Sequence, residues 1–94
     1  METYAAGTTI KTTDTIRDSD DALIDPTSVK ITIYDPNDII KVDTQDMIKE
    51  SPGIYGYDWQ SNSGDTKGVY KVKTVAVSAG YSAVKIIERA FYLK

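Results

Sequence analysis

The sequence predicts an all-β fold, a β-sandwich of about seven antiparallel strands. Valine, isoleucine, threonine and tyrosine recur along the chain, and these residues favour strands. Clusters of Asp, Asn, Gly, Pro and Ser separate them at intervals of about ten residues, as turns do in a sandwich. No amphipathic helix of useful length interrupts this pattern. A chain of 94 residues is expected to form one domain around a modest core.

The first residues are predicted to form an arm rather than part of the core. Residues 1–7, METYAAG, are mostly small or polar, and they show no apolar periodicity. We therefore place the folded domain at residues 8–94 and expect the arm to become ordered on a neighbouring molecule.

Residues 8–17 are rich in β-formers, but their pattern contains a conflict. Ile10 and Ile16 share a strand face with Asp14. A carboxylate without a partner is costly to bury. We therefore expect a break or bulge near residues 12–14 that divides the segment into two short strands.

The clearest strand is SVKITIYDP. Val29, Ile31 and Ile33 alternate with polar or amphipathic residues, which is the pattern of a strand with one buried face. The strand is expected to end in a turn at residues 35–38, because DPND has the composition of a turn.

The following segment is predicted to cross from one sheet to the other. IIKVD should form a short strand with Ile40 and Val42 inward. Thr44 is expected to cap a helical turn. That turn would place Met47 or Ile48 over one end of the core.

The stretch IYGYDWQ places three aromatic residues on one side of a strand: Tyr55, Tyr57 and Trp59. The opposite side offers a poor core, because it carries Ile54, Gly56 and Asp58. A sandwich strand must turn one face inward, so we expect the aromatic face to be buried. An exposed aromatic platform that binds a ligand is the alternative.

The last third of the chain reads as a loop followed by two long strands. Residues 61–67 form a polar loop, and Gly68–Ser78 is the first of the two strands. Ala79-Gly80 is expected to turn the chain into a closing strand over residues 82–94.

The motif GVYKV matches the G-x-Y-x-C pattern that opens the sixth strand of immunoglobulin-type domains, with Val72 in the place of the cysteine. In those domains the tyrosine hydroxyl bonds to the backbone a few residues upstream and fixes a corner between the sheets. Tyr70 is in position for that role. Asp65 lies one residue too far from the usual acidic position.

These segments together resemble the Ig-like or fibronectin-III-like β-sandwiches of prokaryotic surface proteins and of tailed-phage and archaeal-virus virions. The similarity is carried by DPTSVKITIYDP, PGIYGYDW, GVYKVKTVAVSAG and AFYL. It implies Greek-key connections between antiparallel strands. The chain departs from the antibody pattern because it lacks both cysteines, so no disulfide is expected, and its tryptophan lies in the fifth-strand region.

Composition argues against several classes of function. The chain has no histidine and no cysteine, which excludes histidine-activated nucleophiles and metal sites built on imidazole or thiolate. A net charge of −3 without a basic patch argues against nucleic-acid binding. Apolar runs are too short to span a membrane. We expect no enzymatic activity and no cofactor.

One loop offers a weak candidate for calcium. Residues 18–27 are predicted to be a loop, and it carries four carboxylates: Asp18, Asp20, Asp21 and Asp25. Oxygen-rich loops can hold calcium, but the glycine and distal glutamate of an EF-hand are missing. Solvated carboxylates are the simpler interpretation.

The sequence therefore predicts a non-catalytic structural or assembly protein. The resemblance suggests an accessory virion component, such as a capsid decoration, head–tail or tail protein, bound to a capsid or tail protein or to itself. The N-terminus lacks the features of a signal peptide, which favours synthesis in the host cytoplasm. The arm would supply docking residues: Met1, Glu2, Thr3 and Tyr4.

The alternative is an adhesion or glycan-binding module of a larger exported protein at the cell surface. This second hypothesis rests on the same fold resemblance, because one fold serves many functions.

Overall fold

Eight strands and no helix make up the regular structure in the computed structural model, which describes residues 1–17, 20, 22–78 and 81–94. The strands are β1 (Glu2–Tyr4), β2 (Thr9–Thr15), β3 (Ser28–Tyr34), β4 (Ile40–Asp46), β5 (Ile48–Ser51), β6 (Ile54–Gln60), β7 (Gly68–Ser78) and β8 (Tyr81–Leu93). The predicted all-β class is confirmed.

The strands form two sheets, as a sandwich requires. The large sheet has the order β1-β8-β7-β3-β4, and the small sheet has the order β2-β6-β5. All pairs are antiparallel except β1 with β8, which run parallel. The chain therefore changes sheets four times, between β1 and β2, β2 and β3, β4 and β5, and β6 and β7.

The core lies between the two sheets and follows the period-two pattern of the strands. In β3 the inward residues are Val29, Ile31 and Ile33, as predicted. The remaining buried apolar side chains include Ile10, Val42, Met47, Tyr55, Tyr70, Val72, Ala76, Phe91 and Leu93.

The predicted turn after β3 is built around one buried carboxylate. Asp35 Oδ1 accepts hydrogen bonds from the backbone N–H of Asn37 at 2.8 Å and of Ile39 at 2.9 Å. Asp38 follows with a φ of 64°, a conformation that Asp and Asn tolerate better than most residues. These bonds explain why an acidic side chain is stable at 2% exposure here.

The strand after this turn differs from the prediction in one residue. Val42 is buried, but Ile40 is 48% exposed. The register of β3 with β4 shifts between Ile33 and Tyr34, where β4 gains an extra residue. Such a bulge reverses the side that a neighbouring side chain faces, so the prediction that Ile40 points inward was wrong.

The predicted helical turn at Thr44 is absent, because β4 continues as a strand to Asp46. Thr44 has a φ of 48°, and its N–H donates to Thr32 Oγ1 at 3.3 Å. The chain then crosses to the small sheet at Met47. This residue is buried, and its N–H donates to the Val29 carbonyl at 2.8 Å.

The expected break near residues 12–14 is also wrong, because β2 is continuous and pairs residue by residue with β6. Asp14 faces the interior at 4% exposure, but it is not alone. Thr74 Oγ1 donates to Asp14 Oδ2 at 2.7 Å, and Lys85 Nζ lies 3.3 Å from Oδ1. The cost of burial is offset by these partners, so no bulge is needed.

The N-terminal segment is not a free arm, because Glu2–Tyr4 form β1 at one edge of the large sheet. Beyond it, the Ala6 N–H donates to the Lys94 carbonyl at 3.0 Å, and the Lys94 N–H donates to the Tyr4 carbonyl at 2.9 Å. The Tyr4 ring meets Phe91 edge to face at 5.9 Å. Tyr4 thus belongs to the sandwich. The turn expected at residues 79–80 lies outside the described residues.

Candidate functional site

The aromatic strand β6 turns its rings toward the core rather than to solvent. Tyr55 is buried, and Tyr57 and Trp59 are half-buried and pack against the core. The indole of Trp59 lies 5.6 Å from the Tyr70 ring and 6.3 Å from the Phe91 ring. Trp59 thus bridges the two sheets, and the three rings do not form an exposed platform.

Tyr70, the tyrosine of the GVYKV motif, lies near the start of β7. Its ring is fully buried and stacks on Phe91 at 5.0 Å. Its hydroxyl donates to the Thr66 carbonyl, four residues upstream, at 2.6 Å. Burial, with smaller contributions from the charges of Asp65 and Asp35, raises the pKa of Tyr70 to about 12. Val72 is buried beside it, where it supplies apolar volume.

Asp65, one residue further from Tyr70 than the usual acidic position, makes contacts that order the loop before β7. Its Oδ2 accepts from the Asn62 N–H at 2.7 Å, and its Oδ1 lies 3.1 Å from Lys41 Nζ. The first contact closes a turn within the 61–67 loop, and the second ties that loop to β4. The long sequence separation of Lys41 explains why the sequence alone did not indicate this pairing.

The calcium candidates are not brought together as a group. Asp18 and Asp21 lie outside the described residues. Asp25 accepts from the Gly53 N–H at 2.9 Å and pairs with Lys49 at 2.8 Å, and these hydrogen bonds lower its pKa. Within the described ranges, no group of three or more acidic side chains is placed to hold a metal ion.

Several large apolar side chains are exposed on the solvent side of the large sheet, which we call the outer face. In β7 the side chains alternate, so that Thr74 and Ala76 are buried while Val75 and Val77 point outward. β8 continues this face through its pairing with β7, in which Val75 lies opposite Val84 and Lys73 lies opposite Ile86. Val84 and Ile86 are 57% and 59% exposed, so the face presents several apolar side chains to solvent.

A shallow depression of about 270 Å³ adjoins these apolar residues on the outer face. It is lined by Tyr34, Asp38, Lys71, Lys73, Ile86 and Glu88. Lys71 Nζ lies 2.6 Å from the Asp38 carboxylate and 3.9 Å from that of Glu88. The hydrogen bond to Asp38 is the main cause of the raised pKa of Lys71. The depression therefore combines paired charges with the Tyr34 ring and the Ile86 side chain.

Sequence analysis missed the outer face as a site. In VAVS and AVKII every second residue is apolar, but adjacent positions are apolar as well, so the pattern does not say which side is buried. The pairing of β7 with β8 places Val75 opposite Val84 and so shows which side of both strands faces solvent.

No helix among the described residues has the length and apolar character needed to cross a bilayer. Comparison of the chain with protein-family models, curated proteins and solved structures finds no match. Function must therefore be argued from the fold and from the outer face.

Proposed function

We propose that the chain is a non-catalytic structural or assembly protein built on an Ig-type sandwich, and that it is an accessory component of a virion. It binds a capsid, head–tail or tail protein through the outer face of the large sheet. The observation that carries the proposal is the cluster of exposed apolar side chains on that face, because surfaces of this kind serve protein–protein contact.

The strand order supports the Ig-type part of the proposal. In a constant-type immunoglobulin sandwich the sixth strand lies between the third and the seventh, and the fifth lies between the second and the fourth. When β2 is taken as the second strand of that fold and β4 as an added edge strand, β7 lies between β3 and β8, and β6 lies between β2 and β5. The hydroxyl bond of Tyr70 to Thr66 adds the corner expected at the start of the sixth strand.

We assign docking to the outer face rather than to residues 1–4, which the sequence suggested. β1 already uses its backbone to pair with β8, and the Tyr4 side chain packs on the core. Met1 is 63% exposed and can lie at the margin of the contact with a partner protein. The exposed apolar side chains of the outer face, however, belong to β7 and β8.

The proposal is tested by locating the chain in its natural setting. Virus particles purified from the source culture are labelled with an antibody against the chain and viewed by electron microscopy, beside the surfaces of the host cells. We expect label on the particles. Label confined to the cell surface would contradict the virion assignment.

The binding surface is tested with outer-face variants. Val77→Lys places a charge on this face, where the side chain is 40% exposed, and it should weaken binding to particles that lack the chain. Ile48→Lys is the matched control, because Ile48 is 72% exposed on the small sheet. Equal binding by both variants would exclude the outer face as the docking surface.

The second candidate, a glycan-binding module of an exported surface protein, is favoured by one observation. The depression combines the Tyr34 ring with hydrogen-bonding groups on Lys73 and Asp38, and sugar sites in general combine apolar contact with a few placed polar groups. Titration with oligosaccharides should then detect binding that Tyr34→Ala abolishes. Tyr92→Ala, at an exposed tyrosine outside the depression, should leave that binding unchanged.

A further inference from the structure

Lys73 lies at the centre of the outer face. It belongs to β7, the middle strand of the large sheet, and it is paired opposite Thr32 of β3 and Ile86 of β8. Its side chain is half-buried, points to the solvent side of the sheet and lines the depression on this face. A protein that docks on the outer face therefore covers the ammonium group of Lys73.

Two other lysines on this face already have carboxylate partners. Lys71 Nζ lies 2.6 Å from the Asp38 carboxylate, and Lys30 Nζ lies 3.1 Å from that of Asp46. Within the part of the chain that the structure describes, the Lys73 side chain forms neither an ion pair nor a hydrogen bond. Its positive charge is therefore not neutralised by a contact within the chain.

Glu88 does not neutralise this charge, although it lines the same depression. The pairing of β7 with β8 shifts register after Ile87, which takes Glu88 out of the regular ladder. Its carboxylate lies 3.9 Å from Lys71 Nζ and forms no ion pair with Lys73. The counterion of Lys73 must therefore come from a binding partner.

Docking on this face without such a counterion is unfavourable. Ile86, beside Lys73, and Val84, next on the same side of β8, are both more than half exposed. A partner that covers these apolar side chains also excludes water from their surroundings. An ammonium group that loses its water without gaining a partner destabilises the complex. The docking protein must bring an acceptor, and a carboxylate forms the stronger, charge-assisted hydrogen bond.

We propose that the partner protein places an Asp or Glu side chain over Lys73 and surrounds it with apolar side chains that cover Ile86 and Val84. This inference rests on the proposed function and adds the chemistry of the partner's contact surface. The exposed apolar side chains favour a protein over an acidic saccharide, because a polyanionic sugar offers little apolar surface to cover them. The charge also selects the partner, since a surface that presents a cation at this point is repelled.

The first test compares charge variants in binding to particles that lack the chain. Lys73→Met keeps an unbranched apolar side chain and removes the ammonium group. It should weaken binding about 30-fold or more, because the partner's carboxylate is left buried and unpaired. Lys73→Glu places two carboxylates together and should weaken binding further. Lys67→Met, at an exposed lysine in the loop before β7, changes the net charge equally and should bind like the natural chain.

The second test reads the contact directly by zero-length coupling. A water-soluble carbodiimide activates the partner's carboxyl group, and the Lys73 nitrogen then forms an amide with its carbon while the activated oxygen leaves as a urea. Mass spectrometry of the treated particles should find the Lys73 peptide joined to an Asp or Glu of a particle protein. Coupling of Lys71 to Asp38, which lie 2.6 Å apart within the chain, confirms that the reagent has acted.

Val77→Lys, the outer-face variant described above, separates failure of this inference from failure of the proposed function. Full binding by Lys73→Met, together with weakened binding by Val77→Lys, would keep the outer face as the docking surface and overturn the carboxylate. Absence of coupling at Lys73 while Lys71 couples would do the same.

Two further outcomes would also overturn the inference. Coupling of Lys73 to a saccharide would assign the carboxylate to an acidic glycan instead of a protein. If the natural chain itself does not bind the particles, the proposed function fails, and the inference fails with it. Thermal unfolding of each variant establishes that the folded state is being compared.

Discussion

Asp14 is the residue at which an inference from the sequence alone failed for a clear physical reason. The alternation of β2 placed it inward correctly, and the cost of burying an unpaired carboxylate then led to the expectation of a bulge. Its partners Thr74 and Lys85 lie 60 and 71 residues further along the chain. Local pattern does not reveal pairs at such separations.

The contact between Asp14 and Thr74 can be measured by a double-mutant cycle. Asp14→Ala should lower the free energy of unfolding by about 2 to 3 kcal/mol, because the buried hydroxyl loses a charged acceptor. Thr74→Val removes the donor, and the double variant should show a coupling of about 1 to 2 kcal/mol by denaturant titration. Thr13→Ala, on the exposed side of β2, is the control. If the effects of the two single substitutions simply add, the hydrogen bond makes no specific contribution to the free energy of unfolding.

Tyr70 is a second residue whose role can be isolated. Tyr70→Phe keeps the ring that stacks on Phe91 and removes the hydroxyl that donates to Thr66. The free energy of unfolding should fall by about 1 to 3 kcal/mol, since a buried carbonyl loses its donor. Tyr92→Phe, at an exposed tyrosine, should be nearly neutral. Equal stability of the two variants would exclude a stabilising corner bond.

The raised pKa of Tyr70 adds a pH dependence with a defined sign. The folded-state pKa is about 12, against an ordinary value of 10.0. A raised pKa gives stability that is fully present below pH 10 and is lost as the pH rises toward 12. Chemical unfolding across this window should show a smaller loss in Tyr70→Phe than in the natural chain.

At the scale of elements, two glycines near the start of β7 differ in what they require: Gly68 is the first residue of β7, and Gly64 lies in the loop before it. Gly68 has a φ of 136°, and an added Cβ would lie 2.8 Å from the Pro36 ring. Gly68→Ala should therefore cost about 1 to 3 kcal/mol through backbone strain and the clash.

Gly64, in the loop that precedes β7, is the matched control. An added Cβ there meets no atom within 4 Å, so Gly64→Ala should be neutral or stabilising by up to about 1 kcal/mol. Differential scanning calorimetry measures both variants. If both variants lose a similar amount of stability, the positive φ of Gly68 and its contact with Pro36 are not the cause of the loss.

β1 is the element that the sequence described least well. Its three residues lack an apolar alternation, and its position depends on pairing with Phe91 at the other end of the chain. Tyr4→Ala should lower the free energy of unfolding by about 2 kcal/mol, because an edge-to-face contact and apolar burial are lost.

Tyr4→Phe keeps that ring and should be close to neutral in thermal unfolding. Deleting residues 1–7 should destabilise the domain at least as much as Tyr4→Ala. An unchanged melting temperature after this deletion would restore the interpretation of the segment as a free arm.

Most other elements follow from period-two patterning and turn composition. The bounds of β6 and β7 and the inward residues of β3 agree with the expectations from sequence. Ile40 and Thr44 do not, because the irregular pairing of β3 with β4 decides their orientation. A register shift arises from the fit of two strands and leaves little trace in either sequence alone.

For the whole molecule, the sequence predicted two sheets and one core but not the partition of strands between them. The aromatic face of β6 was expected inside, and Trp59 contacts Tyr70 and Phe91 across the interior. The outer face could not be predicted, because it depends on which side of β7 and β8 the small sheet covers. That choice follows from the total apolar area that each arrangement buries, and not from any single segment.

The parallel pairing of β1 with β8 has a kinetic consequence. The first strand of the sandwich pairs with its last strand, so β1 cannot dock until β8 has been synthesised. Joining the chain ends also closes the longest loop in the molecule, which places this step late in folding. Tyr4→Ala should therefore speed unfolding and leave the refolding rate nearly unchanged in stopped-flow experiments, with a φ-value near zero. If Tyr4→Ala instead slows refolding in proportion to the lost stability, β1 belongs to the folding nucleus. Until that last step, the edge of β8 stays open over its whole length in every newly made chain.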